Sequence, residues 1–296
     1  MSRRGIPGRR NSAYFFLAPA AAVLLLVLTF PIVESVRLSF FEWQLRAIRQ
    51  PPTFVGLRNY AELFASENFR QSILVTIRFS LSVVIIELIL GTVFALLLEG
   101  DQVKGLRFFR TLYVLPIMIA PVVVGIMWRF MYHPSYGKIN WFLSLVGISP
   151  VGWLSDPNMA MYSIIIADVW QWTPFVFLLV LAGLQGVPKD LMEASVVDGA
   201  NYLQTLVSIK LPYIAAILGL TAVLRLIDSF RSLVVIFNMT FGGPGVSTEV
   251  LSLHLYKTAF TSQRLGLASA VAVVLLLVVF SFSGVLIWRA VRQEGR

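Results

Sequence analysis

Pro188-Lys-Asp-Leu-Met-Glu-Ala-Ser-Val-Val-Asp-Gly-Ala-Asn-Tyr-Leu-Gln-Thr-Leu-Val-Ser-Ile-Lys-Leu-Pro212 lies between two long apolar runs, Met161–Leu184 and Tyr213–Phe237. Runs of that kind are what a bilayer demands, because about 20 residues at helical rise cross a hydrocarbon layer roughly 30 Å thick. Pro188 suits a first helical position, where its missing N–H would be unpaired anyway. Asp190 adds negative charge to the first turn, which the helix dipole favours. Leu191, Ala194 and Ser195 fall on one face, with Glu193 beside them. Gly199 stops this helix, since glycine tolerates the left-handed conformation of a helix end. Asn201 caps the next helix, with Gln204 completing a capping box. Leu203, Leu206 and Val207 form its apolar stripe, and Leu211-Pro212 marks the turn back into the membrane. Two short helices joined at a glycine make an elbow with an apolar face and little of its own to cover it. Such a surface is a docking element.

Along the whole chain six runs are able to span: Tyr14–Val36, Ser72–Leu98, Phe109–Met131, Met161–Leu184, Tyr213–Phe237 and Leu265–Trp288. They are too long and too little alternating for barrel strands, so the fold class is an all-α polytopic membrane protein. The composition agrees, with 57% of the 296 residues hydrophobic and only 13% charged, against about a quarter charged in soluble domains. The net charge of +9 fits basic residues held on the cytoplasmic side against anionic lipid better than it fits nucleic acid. With both termini inside, the inner segments carry twelve Lys and Arg (Arg3, Arg4, Arg9, Arg10, Lys104, Arg107, Arg110, Lys189, Lys210, Arg289, Arg292, Arg296) and the outer ones seven. The first run is too long for a cleaved signal, and its small residues Ala18 to Ala22 stand at its start. The elbow is therefore cytoplasmic. In the first outer loop, Asn59 to Phe64 reads as a short amphipathic helix with Tyr60, Leu63 and Phe64 inward.

Glu193-Ala194-Ser195, Asp198-Gly199-Ala200, and Ile209, Leu211 and Pro212 at their spacings resemble the EAA loop of the permease subunits of bacterial ABC importers. Ser195 stands where that family usually has a second alanine, a small-for-small change. The likeness extends to Trp170-Gln-Trp-Thr-Pro174, Thr240-Phe-Gly-Gly-Pro-Gly-Val-Ser-Thr-Glu249, Gly266-Leu-Ala-Ser-Ala270, Leu115-Pro116 with Trp128, and Phe54-Val-Gly-Leu-Arg-Asn-Tyr60. The last of these resembles the outer loop of the sugar-type, MalF/MalG-like branch. Leu233-Val234, where that branch often has Phe-Asp, is a departure. The resemblance implies a type I ABC importer permease fold in the cell inner membrane. It implies a cytoplasmic N-terminus, first transmembrane helix and periplasmic loop at 1–71, a transmembrane core of five helices at 72–288 holding the coupling loop 187–212, and a cytoplasmic tail at 289–296. It also implies that the loop docks on an ATPase subunit. The expected partners are a second homologous permease, two copies of the ATPase and an extracytoplasmic solute-binding protein. The expected solute is a sugar, polyol or glycerol phosphate. This chain would bind no cofactor, with ATP and Mg held by the partner ATPase.

A charge at mid-membrane costs roughly 2.5–3.5 kcal/mol on insertion scales, so each requires a reason. Glu87, Asp168, Arg225, Asp228 and Arg231 fall within the runs. Arg225, Asp228 and Arg231 succeed one another at three-residue intervals on neighbouring helix faces. They either line a hydrated solute path or neutralise one another to fix packing, and the spacing favours packing. Asn238, Thr240 and Gly242-Gly-Pro244 either line the path or form a tight outer turn. His133 and His254 are isolated, so no metal site is expected, and Trp128, Trp141, Trp153 and Trp288 read as interfacial anchors. Gly91, Gly125 and Gly219 read as packing sites. With no Gly-x-x-x-x-Gly-Lys-Ser/Thr loop and no cysteine, the chain reads as a transport subunit without an ATPase site of its own. The alternatives are an ion-coupled secondary transporter, which commonly shows two matching halves that this sequence lacks, and a membrane-embedded enzyme or scaffold, for which no catalytic constellation is visible.

Overall fold

The computed structural model describes residues 8–100 and 105–294, with the backbone alone at 8–16, 106–107 and 286–294. Arg3, Arg4, Lys104 and Arg296 of the charge count lie outside the described residues, as does the side chain of Trp288. The helices are α1 (Gly8–Leu38), α2 (Arg58–Ala65), α3 (Glu67–Leu97), α4 (Leu106–Val114), α5 (Pro121–Met131), α6 (Lys138–Leu145), α7 (Pro157–Gln185), α8 (Lys189–Val197), α9 (Tyr202–Thr205), α10 (Leu211–Phe230), α11 (Val234–Met239), α12 (Leu251–Tyr256) and α13 (Leu265–Glu294). Among the described residues five helices are long and apolar enough to cross a membrane: Leu17–Leu38, Glu67–Leu97, Pro157–Gln185, Tyr202–Phe230 and Leu265–Val285. A bent pair, Phe108–Met118 and Pro121–Met131, makes a sixth if it is one span.

Three expectations are corrected. The third span is not continuous, because its halves meet at 97°. Pro116 and Pro121 each lack an N–H, and a residue before proline is pushed out of the helical region, as Ala120 is at ψ 137°. The fifth span, expected to run to Phe237, breaks after Phe230 and resumes as α11 at Val234. The carbonyl freed at Ser232 accepts a bond from the Ser252 hydroxyl at 2.6 Å. Leu211-Pro212 makes no turn, for the helix that starts at Tyr202 runs through to Phe230. A five-residue π turn, Leu206–Lys210, precedes the proline. Widening the helix there accommodates a ring that would clash with the carbonyl four residues back.

The chain divides into two compact units, one of residues 66–254 with 275–296 and the other of 1–65 with 255–274. In the first, α3, α7 and α10 pack together. Ser66 caps α3 by accepting from the Phe69 N–H, and Asp156 caps α7 by accepting from Asn158 and Met159 at 2.7 and 3.1 Å. Ala95, Val176, Phe177, Val180, Leu184 and Ile214 form a buried cluster between the three helices. At Gly91 a Cβ would meet the Val176 side chain at 2.6 Å and the Phe177 backbone nitrogen at 3.0 Å. Only glycine permits that approach of α3 to α7. Gly91→Leu is therefore expected to abolish accumulation of the protein in the membrane, read by immunoblot of membrane fractions, whereas overpacking of an ordinary site costs only about 1–3 kcal/mol. Normal abundance of that variant would show the two helices free to separate. Gly125 likewise lies against Asn238 and Val235, so both glycines are packing sites.

In the second unit, two-residue strands β1 (Phe41–Glu42) and β2 (Thr53–Phe54) pair antiparallel. Asn59 of α2 is buried and donates to the carbonyls of Ser39 and Phe41 at 2.8 and 2.9 Å. Leu63 is buried as expected, on the same face as Asn59 four residues earlier, whereas Phe64 is exposed, one residue and about 100° further round. Arg264 pairs with Glu62 and holds its carboxyl below the usual range through their hydrogen bond. Both side chains are well exposed, so the pair adds little stability.

Candidate functional site

The elbow is built as its local sequence dictates. Helix α8 starts at Lys189, so Pro188 occupies the capping position one residue before the expected one. At the other end Gly199 has φ +72°. The Ala200 N–H donates to the Ser195 carbonyl at 2.9 Å and the Gly199 N–H to that of Val196 at 3.1 Å. These two bonds satisfy carbonyls that the helix end leaves open. The capping box closes as read, Asn201 accepting from the Gln204 N–H at 2.9 Å and Gln204 accepting from the Asn201 N–H at 2.8 Å.

The predicted docking residues divide by burial. Glu193, Ala194, Asp198, Gly199 and Pro212 are exposed, Ile209 and Leu211 are half-buried, and Ser195 is buried. The Ser195 hydroxyl donates to the Met192 carbonyl at 2.7 Å and accepts from Thr205 Oγ1 at 3.4 Å, tying α8 to α9. Ser195 thus sets the angle of the elbow from beneath. The outward surface is apolar: Val196 is 74% exposed, Val197 86% and Leu203 65%.

The intramembrane charges converge on Arg225, which is 1% exposed. Its guanidinium donates to both oxygens of Glu87 at 2.7 and 2.9 Å, to Asp168 at 3.3 Å and to Asp228 at 2.7 Å. The Trp172 ring lies 4.6 Å from its Cζ, a cation–π contact. Glu87 and Asp168 are buried, and each is paired with Arg225. Asp228 differs, its side chain being 42% exposed.

Asp228 and Arg231 line a cavity of about 150 Å³ together with Asp168, Trp172, Pro121 and the broken backbone at Ser232–Val235. Arg231 ends α10 and forms no ion pair among the described residues, so the expected Asp228–Arg231 pair is absent. Both breaks in the spans border this cavity, since Pro121 opens α5 and Arg231–Leu233 separate α10 from α11. Gln171, buried on α7, donates to the carbonyl of Ile119 at the first break at 3.0 Å. Irregular backbone at membrane depth occurs where it is covered by protein or lines a cavity. Asn238 and Thr240 do not join them. Asn238 donates to the Val234 carbonyl at 2.7 Å, and Thr240 bonds Thr248 at 2.8 Å within the Gly-Gly-Pro turn.

Sequence reasoning missed the roles of Gln171 and Trp172, although Asp168 and Trp172 at i and i+4 share a face. Trp128 is buried, its ring tilted against Tyr132 and edge-on to Trp170. His254 pairs with Glu249 at 2.7 Å.

Helices that break where charged groups gather, within an otherwise apolar bundle, define a membrane transport subunit. The chain belongs to the family of binding-protein-dependent transport system inner membrane components, whose model matches residues 88–293. It is 38% identical over 284 residues to a probable ABC transporter permease protein, y4oQ, of Sinorhizobium fredii, covering 96% of this chain and 91% of that one. It is 38% identical over 270 residues to the trehalose/maltose transport system permease protein MalF of Thermococcus litoralis, covering 91% and 90%. Among solved structures, a bacterial ABC transporter involved in import of the acidic polysaccharide alginate matches with TM-score 0.82 at 24% identity, covering 96% of each chain. The protein is a permease subunit of an ABC importer, with the type I importer permease fold. The ion-coupled alternative finds no support among these relatives.

Proposed function

We propose that this permease carries a sugar or sugar-like solute through a path that includes the cavity at Asp168, Trp172, Asp228 and Arg231. The single observation behind the path is the meeting of two broken spans at that cavity. The solute class is supported by the relatives. One is a trehalose/maltose permease, another an sn-glycerol-3-phosphate permease of Brucella suis at 31% identity, and a third a sulfoquinovosyl glycerol permease of Agrobacterium fabrum, also at 31%. Carboxylate acceptors, a guanidinium donor and an indole suit a hydroxylated solute. At about 150 Å³ the cavity is smaller than the roughly 300–1,000 Å³ of ordinary ligand pockets. This chain therefore encloses part of a solute, and a second homologous permease completes the enclosure.

The elbow carries the energy input. Its exposed apolar surface around Gly199 docks on one of two ATPase subunits, which hold the ATP and Mg, while this chain binds no cofactor and hydrolyses nothing. Both termini and the elbow lie in the cytoplasm, in keeping with the Lys and Arg bias. An extracytoplasmic solute-binding protein delivers the cargo, as in the alginate transporter described with a pentasaccharide-bound periplasmic protein. Residues 1–71 supply the first span and outer loop, 72–288 the translocating core and 289–296 a cytoplasmic tail.

Asp228→Asn tests the path. Losing one charge-assisted hydrogen bond of about 1.4 kcal/mol is a tenfold change, so the solute concentration for half-maximal uptake is expected to rise about tenfold at unchanged abundance. Reduced abundance with unchanged affinity would instead place Asp228 in packing alone.

A further inference from the structure

We infer that Glu99 and Lys210 form a latch through which movement of the elbow reaches the second span as well as the fifth. The inference rests on the docking reading of the elbow. Elbow and fifth span are one helix from Tyr202 to Phe230. Displacement of the elbow therefore reaches the fifth span through the backbone, and the second span through the packing of α3 on α10 and the Glu87–Arg225 pair within the membrane; a direct connection at the base of the elbow would carry it to the end of the second span and the start of the third as well.

Glu99 lies just beyond the end of α3, and its carboxylate accepts from Lys210 Nζ at 2.7 Å. The Lys210 side chain is 9% exposed and that of Glu99 23%. The Tyr202 ring lies 5.7 Å from the same ammonium. Lys210 closes the π turn, and π turns inside helices concentrate at functional positions. Beside the pair, Arg110 of α4 donates to the carbonyl of Leu98 at 3.0 and 2.5 Å and to that of Gly100 at 2.8 Å. One short segment, Leu98 to Gly100, therefore joins the end of the second span, the start of the third and the base of the elbow. A buried ammonium does not release its counter-ion at low cost, so this junction moves as a body when the elbow is driven. Glu99 and Lys210 are positioning residues; neither touches solute or nucleotide.

The test uses the assembled importer in proteoliposomes with its ATPase and solute-binding protein. Solute moved per ATP hydrolysed is compared for wild type, Glu99→Gln, Lys210→Met and the exchanged double variant Glu99→Lys/Lys210→Glu. Linked equilibria commonly shift about 5–150-fold through such a coupling. The expected result is a drop of at least about fivefold in that ratio for each single variant, with the ATPase still co-purifying, and recovery in the exchanged pair. Single variants that keep the wild-type ratio would overturn the latch. So would loss of the ATPase from the single variants alone, because the pair would then merely shape the docking surface. Failure of the wild-type chain to hold the ATPase would overturn the docking reading itself.

Discussion

A Gly199→Asp permease is expected to reach the membrane at near wild-type abundance and to fail in transport. Asp tolerates the left-handed region better than most residues, so φ +72° costs the fold little. A Cβ at this position meets nothing within 4 Å in the chain, so no internal clash arises either. The side chain instead places a charge beside Asp198 on the surface assigned to the ATPase. Truncation of charged pairs at interfaces shows that a buried, unpaired charge costs about 2–5 kcal/mol, and about 2 kcal/mol already corresponds to roughly thirtyfold. Uptake and solute-stimulated ATP hydrolysis in proteoliposomes should both fall by at least that factor. Gly199→Asn, equally tolerant of the backbone angle but uncharged, separates charge from bulk. If Asn couples normally, charge is the offence; if it also fails, the partner fills the open space. Survival of transport in the Asp variant, at normal ATPase stimulation, would remove the elbow as the docking point.

The second large effect belongs to Arg225→Met. Removal of one partner from a buried ion pair costs about 3–5 kcal/mol, since the other charge remains unpaired in low dielectric. Here two carboxylates, Glu87 and Asp168, together lose the guanidinium that pairs with both among the described residues. Against the 5–15 kcal/mol of a typical folded domain, the variant should be degraded, giving little or no protein in membrane fractions. The triple variant Glu87→Gln/Asp168→Asn/Arg225→Met, which removes both buried carboxylate charges with the guanidinium, should recover abundance. Wild-type levels of Arg225→Met alone would mean that water reaches these carboxylates.

These two residues also show what a sequence discloses. The elbow was legible because its signals are local: a glycine for a positive φ, an Asn three residues before a Gln, an acidic first turn. The Arg225–Asp228 pair was legible for the same reason, being one helical turn apart. Glu87 and Arg225 are 138 residues apart, and nothing in either run names the other. The break in the third span was half visible in Pro116 and Pro121. The break in the fifth was not, because Ser232 to Phe237 is nearly as apolar as a continuous helix, and the Ser252 hydroxyl that supports it lies 20 residues on. Leu211-Pro212 misled, because a π turn lets a helix absorb a proline that usually stops one.

The distance from Glu87 to its guanidinium also sets a schedule for biogenesis. At roughly 5–20 residues per second of synthesis, those 138 residues separate the emergence of the acid from that of its counter-ion by roughly 7–28 seconds. During that interval the nascent second segment holds Glu87 without Arg225, the guanidinium that pairs with it in the folded chain. Until the fifth segment emerges, an ionised carboxylate there carries the roughly 2.5–3.5 kcal/mol cost of a charge at mid-membrane.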